Sequence, residues 1–165
     1  MLRDFTVHHP FDYGEFDLRL VGRGIYEAQL EGERLELTVC MDTSGSCVTW
    51  IPSFMGELKA MLQAFPHVSA QLYYADTALH GPYEVEGYDE VPVPRGGGGT
   101  DFQPFFAHVT QGAGGPAHQV LVYLTDGYGR FPDKMPTVET VWVVTPGGLA
   151  EDQFPFGRTV KLASL

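Results

Sequence analysis

The 165-residue chain is poor in cysteine, in basic side chains and in long apolar runs. Its two cysteines, Cys40 and Cys47, are too few for a disulfide scaffold or a four-sulfur zinc site. Ten basic against twenty-one acidic residues give a formal net charge of −11, which disfavours nucleic acid because Lys and Arg bind the phosphate backbone. No stretch reaches about 18 consecutive apolar residues, so the sequence predicts no membrane span and no secretory leader. We expect a cytoplasmic protein.

Several motifs of catalytic and nucleotide-binding sites are missing as well. The sequence contains no H-E-x-x-H and no G-x-G-x-x-G, and neither Lys-Ser nor Lys-Thr follows the glycine run at 96–99. The histidines show no close metal-ligand spacing. These absences argue against a zinc peptidase and against nucleotide binding.

The apolar residues that are present follow the periods of helices and strands. They make up 44% of the chain, enough for one globular domain that buries roughly 70% of the surface of its unfolded chain. Spacings of three and four from Val48 to Phe65 predict a helix, and a second helix is predicted to begin near Pro104. Runs of β-forming residues, with a turn at His80–Pro82, predict strands at 35–42, 68–75, 83–88, 119–127, 140–145 and 159–163.

This order of elements predicts an α/β fold with a doubly wound, mostly parallel central sheet, flanked by helices and completed by one antiparallel edge strand. We interpret residues 1–34 as an N-terminal arm with a hairpin formed by Phe16–Val21 and Ile25–Leu30. Residues 35–165 form the main domain in this interpretation. In such sheets, ligands bind at the carboxyl ends of the strands.

Oxygen-bearing side chains occur where predicted strands and the glycine run end. Asp42, Ser44 and Ser46 follow the first strand as D-x-S-x-S, Thr100 follows the glycines, and Asp126 ends a later strand. Two carboxylates and three hydroxyls suit Mg2+ or Mn2+, which prefer oxygen ligands. The D-x-S-x-S segment taken alone is equally well explained as a helix amino-terminal cap, because Asp and Ser are preferred caps.

Three motifs together resemble the metal-ion-dependent adhesion site (MIDAS) of von Willebrand factor A (vWA) domains. They are D-T-S-G-S at 42–46, G-G-G-G-T-D-F at 96–102 and Y-L-T-D-G-Y-G at 123–129. The segments L-T-D-G-Y-G-R-F-P, W-V-V-T-P and P-F-G-R-T-V-K-L are similar to the carboxy-terminal vWA-like domain of bacterial metallopeptidase-like proteins. The resemblance covers residues 35–165 and implies that this part of the chain is a vWA-like metal-binding domain.

The resemblance also implies a role for each oxygen-bearing residue. It implies that Ser44 and Ser46 bind the metal directly. It implies that Thr100, Asp42 and Asp126 bind it directly or through water. The usual helical crossover of the family is replaced here by a shorter, proline-rich connection after Asp126.

In the vWA family, an acidic side chain of a partner completes the metal shell, and bacterial members are often encoded with MoxR-type AAA ATPases. The resemblance therefore implies an adaptor whose protein ligand exposes an Asp or Glu, with a MoxR-type AAA ATPase as a candidate partner. Tyr128, Arg130 and Phe131 follow the metal carboxylate and are candidate partner contacts. Loop aromatics also pack frequently on their own domain, and the sequence does not separate these two explanations.

An enzymatic alternative is a metal-dependent hydrolase, phosphatase- or peptidase-like, that uses Asp42. A strand-end Asp can act as a nucleophile, but the second Asp expected two residues later is replaced by Ser44. Cys47 is another candidate nucleophile, although the sequence places no His to activate it. The sequence therefore favours binding over catalysis.

Overall fold

A computed structural model of the protein describes residues 35–65, 68–85, 97–111 and 119–162. The predicted arm and hairpin in residues 1–34 lie outside this part of the chain. Within the described ranges, no helix combines the length and apolarity needed to cross a membrane.

The described residues form a six-stranded sheet. Its strand order is β3-β2-β1-β4-β5-β6, with parallel pairing throughout except between β2 and the edge strand β3. The predicted mostly parallel sheet with one antiparallel edge strand is therefore confirmed. The strands are β1 (Leu35–Asp42), β2 (Val68–Ala75), β3 (Leu79–Val85), β4 (Gln119–Thr125), β5 (Glu139–Val144) and β6 (Arg158–Lys161).

A helix covers each face of the sheet, because successive residues of the buried strands point to opposite faces. Helix α1 (Ile51–Ala64) packs against the face that carries Val39 and Met41. Helix α2 (Gln103–Gln111) packs against the face that carries Cys40 and an aromatic cluster. The doubly wound arrangement predicted from the sequence is thus confirmed.

The start of the first helix differs from the sequence prediction. A short 3-10 helix, Val48–Trp50, precedes α1, and the side chain of Val48 is 46% exposed. Pro52 lies in the first turn of α1, where its missing N–H breaks no helical hydrogen bond. The first fully buried residue of the helix is therefore Ile51, with Trp50 packed partly against the core, and Val48 faces solvent.

The edge hairpin also turns earlier than predicted. The predicted turn residues His80–Pro82 belong to β3, and the chain reverses at Asp76–Ala78. Asp76 closes this turn because its N–H donates to the Ala78 carbonyl at 3.1 Å and its carboxylate accepts the Ala78 N–H at 2.9 Å. Proline is tolerated in β3 because the strand lies at the edge of the sheet.

The strand order reverses between β1 and β4, which lie side by side at the centre of the sheet. The chain runs from β1 outward to β2 and β3, and from β4 outward to β5 and β6. A doubly wound sheet binds ligands at this reversal, beyond the carboxyl ends of the two strands. Asp42, the last residue of β1, and Asp126, which follows β4, both lie there.

Trp142 of β5 is the centre of the aromatic cluster. It is 0% exposed, and its ring centroid lies 5.3–5.5 Å from those of Phe102, Phe154 and Phe156. Its indole N–H donates to the Phe156 carbonyl at 2.8 Å. The cluster thereby joins β5 to α2 and to the segment that leads into β6.

We predict that Trp142→Phe lowers the free energy of unfolding by about 1–3 kcal/mol, because it leaves the buried Phe156 carbonyl without its donor. Urea denaturation measures the change. Met135→Ala is the control, because Met135 is 68% exposed and its replacement should stay within about 0.5 kcal/mol of wild type. Equal midpoints for Trp142→Phe and wild type would contradict the prediction.

Candidate metal centre

Asp42 is the buried anchor of the cluster at the strand reversal. Its side chain is 0% exposed, and its Oδ1 accepts the Ser44 N–H at 2.9 Å. The Thr125 hydroxyl donates to Oδ2 at 2.8 Å, and the Thr100 hydroxyl lies 3.2 Å from the same oxygen. A buried carboxylate needs such donors because it has lost its water. Asp42 thus joins its own loop, the glycine loop and the end of β4.

Two serine hydroxyls continue the cluster toward Asp126. The Oγ atoms of Ser44 and Ser46 are 3.4 Å apart, and Ser46 donates to Asp126 Oδ2 at 2.6 Å. The other Asp126 oxygen accepts the Tyr128 N–H at 3.0 Å. Hydrogen bonds therefore connect all five residues for which the sequence predicted a metal: Asp42, Ser44, Ser46, Thr100 and Asp126.

The helix-cap explanation of the D-T-S-G-S segment is wrong. Cys47 caps the 3-10 helix and Trp50 caps α1, and neither makes a side-chain cap hydrogen bond. The side chain of Asp42 instead closes a tight turn onto the Ser44 N–H, and Ser46 bonds to a residue 80 positions later. These side chains bond across the site rather than along the helix.

Two contributors to the cluster were not among the predicted site residues. Thr125 donates to Asp42 and its hydroxyl accepts the Gly127 N–H at 3.0 Å. Its sequence signal is a hydroxyl that ends an otherwise apolar strand. Cys47 accepts the Asp126 N–H at 3.2 Å, and its Sγ lies within 4.8 Å of a carboxylate oxygen of both Asp42 and Asp126.

Burial keeps the Cys47 thiol protonated. The side chain is 0% exposed, and burial, followed by the nearby charge of Asp42, raises the pKa of Cys47 to about 12. Cys40, beneath the site on β1, is also buried, and burial raises its pKa well above the usual value. Both cysteines are free thiols.

The main chain of Asp126 is held by the loop that follows β5. The Leu149 N–H donates to the Asp126 carbonyl at 2.8 Å. A Cβ at Gly148 would lie 2.6 Å from the same carbonyl oxygen, so a larger residue would displace one of the two segments. Gly148 therefore allows the close approach that positions Asp126.

The electrostatic balance of the cluster is negative. It contains two carboxylates, and no basic side chain of the described residues forms an ion pair with either of them. The ion pair that the described residues do form joins Arg158 to Glu139 at 3.5 Å, on β6 and β5. Two nearby carboxylates without a cation repel each other, which favours binding of a positive charge between them.

The three candidate partner contacts differ in their surroundings. Tyr128 is 61% exposed and Arg130 is exposed beside the cluster. Phe131 is half-buried, and its ring centroid lies 4.9 Å from that of Phe102 and 5.6 Å from that of Phe154. Tyr128 and Arg130 are thus accessible to a partner, whereas Phe131 packs mainly on its own domain.

Comparisons with known proteins agree with this architecture. A family model described as VWA-like domain (DUF2201) matches residues 37–163, which include the whole described sheet apart from its first two residues and every residue of the cluster. Comparison with curated proteins and with solved structures gives no match. With the six-stranded sheet and a helix on each face, the family match identifies the chain as a member of the VWA-like domain family.

Proposed function

We propose that this domain is a divalent-metal-dependent adaptor: it binds Mg2+ or Mn2+ at the cluster and holds an acidic side chain of a protein partner there. The observation that carries the proposal is the convergence of five oxygen-bearing side chains without a compensating basic group among the described residues. The residues that would hold the metal are Asp42, Ser44, Ser46, Thr100 and Asp126.

The hydrogen bonds of the cluster support hydroxyl ligation. A hydroxyl has one proton and two lone pairs, so a hydroxyl that donates to a carboxylate keeps its lone pairs for another group. Ser46 donates to Asp126, and Thr100 lies within donating distance of Asp42. The carboxylates therefore orient the hydroxyl oxygens and polarise them, which is the supporting role of residues behind a metal shell.

The chemistry of these donors fits a hard ion. Carboxylate and hydroxyl oxygens are the ligands that Mg2+ prefers, and Mn2+ accepts the same set. A soft metal would prefer the sulfur of Cys47 as a ligand, and that sulfur already accepts the Asp126 N–H. The bound metal would supply a Lewis-acidic position for an anionic ligand.

The surface around the cluster supports a protein ligand. Tyr128 and Val48 are two of the three exposed large hydrophobic residues in the described part of the chain. Val48 lies two residues after Ser46 and Tyr128 lies two residues after Asp126, and a hydrogen bond joins Ser46 to Asp126. Exposed apolar side chains beside a charged centre are typical of interaction sites, and Tyr and Arg are enriched among interface anchors.

The proposed ligand is an exposed Asp or Glu of a partner protein, with Tyr128 and Arg130 contacting the residues around it. Phe131 belongs to the proposed surface as a residue that supports the loop, because its ring packs against Phe102. A MoxR-type AAA ATPase is the partner that we propose to test first, on the basis of the resemblance to bacterial vWA-like domains.

Binding is proposed in preference to the hydrolase alternative because of the state of Asp42. A nucleophile must reach its substrate, whereas Asp42 is 0% exposed and its two oxygens face donors from Ser44, Thr100 and Thr125. This arrangement suits a group that orients neighbouring ligands better than one that attacks an incoming bond.

The metal proposal predicts that Mg2+ or Mn2+ raises Tm of the wild-type protein after treatment with EDTA. A ligand that binds only the folded state stabilises it by about 2.7 kcal/mol at a concentration of one hundred times Kd. Asp42→Asn keeps the size of the side chain and removes its charge, so we expect no metal response. Thermal denaturation and calorimetric titration measure both effects.

Asp133→Asn is the control for this experiment, because it makes the same charge change at an exposed position. It should respond to the metal like wild type. Ser46→Ala, which removes a hydroxyl and not a charge, serves as a second variant if Asp42→Asn does not fold. A wild-type protein that responds to neither ion, or an Asp42→Asn protein that responds fully, would contradict the proposal.

The partner proposal predicts that Tyr128→Ala weakens binding of a purified MoxR-type AAA ATPase from the same genome. Loss of an aromatic anchor costs about 1–2 kcal/mol, a five- to thirtyfold increase in Kd. Met135→Ala removes an equally exposed apolar side chain and should leave Kd unchanged. Biolayer interferometry at constant Mg2+ measures these values.

Asp42→Asn is compared at the same Mg2+ concentration, because the ATPase itself uses Mg2+ and removing the ion would affect both proteins. We expect the Asp42→Asn protein to lose its binding to the ATPase. Equal binding by wild type and Asp42→Asn would show that the interaction does not use the metal, and that result would overturn the adaptor proposal.

A further inference from the structure

Asp76 makes hydrogen bonds to the chain on both sides of Thr100, the residue whose hydroxyl lies in the cluster. Its Oδ2 accepts the Gly98 N–H at 3.2 Å, two residues before Thr100. Its main-chain carbonyl accepts the Asp101 N–H at 3.0 Å, one residue after Thr100. The end of β2 is therefore joined to the glycine loop at two points.

The described part of the glycine loop, residues 97–99, can be held mainly through its backbone. Gly97, Gly98 and Gly99 are exposed and have no side chains to pack. Glycine also loses more conformational freedom on ordering than any other residue, so the loop depends on hydrogen bonds to its backbone. After Thr100 the chain is fixed differently, because the Phe102 N–H donates to the Arg130 carbonyl at 3.1 Å.

The carboxylate of Asp76 is itself well placed for this role. Its Oδ1 accepts the Ala78 N–H at 2.9 Å, which fixes the side chain in the turn between β2 and β3. The Ala78 N–H, and to a lesser degree the Gly98 N–H, lower the pKa of Asp76, so the charged form accepts these bonds. Charge-assisted hydrogen bonds are stronger than neutral ones.

We propose that Asp76 is a positioning residue for the metal centre: it holds the glycine loop so that the Thr100 hydroxyl lies beside Asp42. This inference rests on the proposed metal-binding function. Asp76 does not touch the cluster itself, because its side-chain hydrogen bonds go to the main chain of Ala78 and Gly98. We expect its effect on metal affinity to pass through Thr100, whose flanking residues it holds.

The test compares the Asp76→Ala and Asp76→Asn variants with Asp133→Ala, which removes a carboxylate at an exposed position. Replacing a residue that orients metal ligands weakens metal affinity about 10- to 100-fold, and we expect Asp76→Ala to weaken Mg2+ binding by at least about tenfold. Asp76→Asn keeps one oxygen acceptor and should lose less Mg2+ affinity than Asp76→Ala. Asp133→Ala should bind Mg2+ like wild type. Calorimetric titration well below Tm measures each Kd.

A double-mutant cycle with Thr100→Val separates positioning from general destabilisation. If Asp76 acts through Thr100, Asp76→Ala should cause little further loss of Mg2+ affinity in the Thr100→Val protein. If Asp76→Ala instead acted by changing the structure elsewhere, its loss of Mg2+ affinity would add to the loss caused by Thr100→Val. Full additivity of the two losses would therefore overturn the inference, as would wild-type affinity in Asp76→Ala.

Amide hydrogen exchange gives a readout that does not depend on the metal. Asp76→Ala should speed exchange at Gly98 and leave exchange in the centre of β1 unchanged. If wild type does not bind Mg2+, the proposed function fails, and unchanged exchange at Gly98 would then overturn the inference separately. If Asp76→Ala does not fold, Asp76→Asn is measured in the same cycle and the same exchange experiment.

Discussion

The structure around the site depends on one constraint: a carboxylate with no exposure to water must be surrounded by donors. Asp42 meets this requirement with a main-chain N–H from its own loop and hydroxyls from two distant segments. Removing any of these donors would leave the buried carboxylate with fewer hydrogen bonds, which would lower the free energy of unfolding. The need to solvate one side chain thus brings together the end of β1, the glycine loop and the end of β4.

The position of Asp42 follows from the topology of the sheet. Strands β1 and β4 are neighbours in the centre, and the two halves of the sheet run outward from them in opposite directions. In doubly wound sheets, ligands bind beside the loops at this reversal. Here the loops that follow β1 and β4 are joined by the hydrogen bond from Ser46 to Asp126. The same reversal brings the ends of β1 and β4 side by side, so Asp42 and Asp126 lie close together although they are far apart in sequence.

The sequence was sufficient for most of the strands and for the five clustered oxygens. The reason is physical: apolar runs mark buried strands, and a polar residue directly after such a run must lie at the end of the sheet. Two features depended on contacts that no local pattern contains. In the sequence, Thr125 only ends an apolar run. Its role in the cluster depends on its hydrogen bond to Asp42, which lies 83 residues earlier. The sequence predicts the turn at His80–Pro82 because Gly-Pro is a strong local turn signal, whereas the two hydrogen bonds between Asp76 and Ala78 close the actual turn.

The central position of β1 has a consequence for the order in which the protein is synthesised. Asp42, Ser44 and Ser46 leave the ribosome about 80 residues before Asp126, the last member of the cluster. Until β4 follows, β1 has one unpaired edge, which is open to pairing with another chain. The nascent chain therefore completes its cluster of oxygen-bearing side chains and covers the edge of its central strand in the same step.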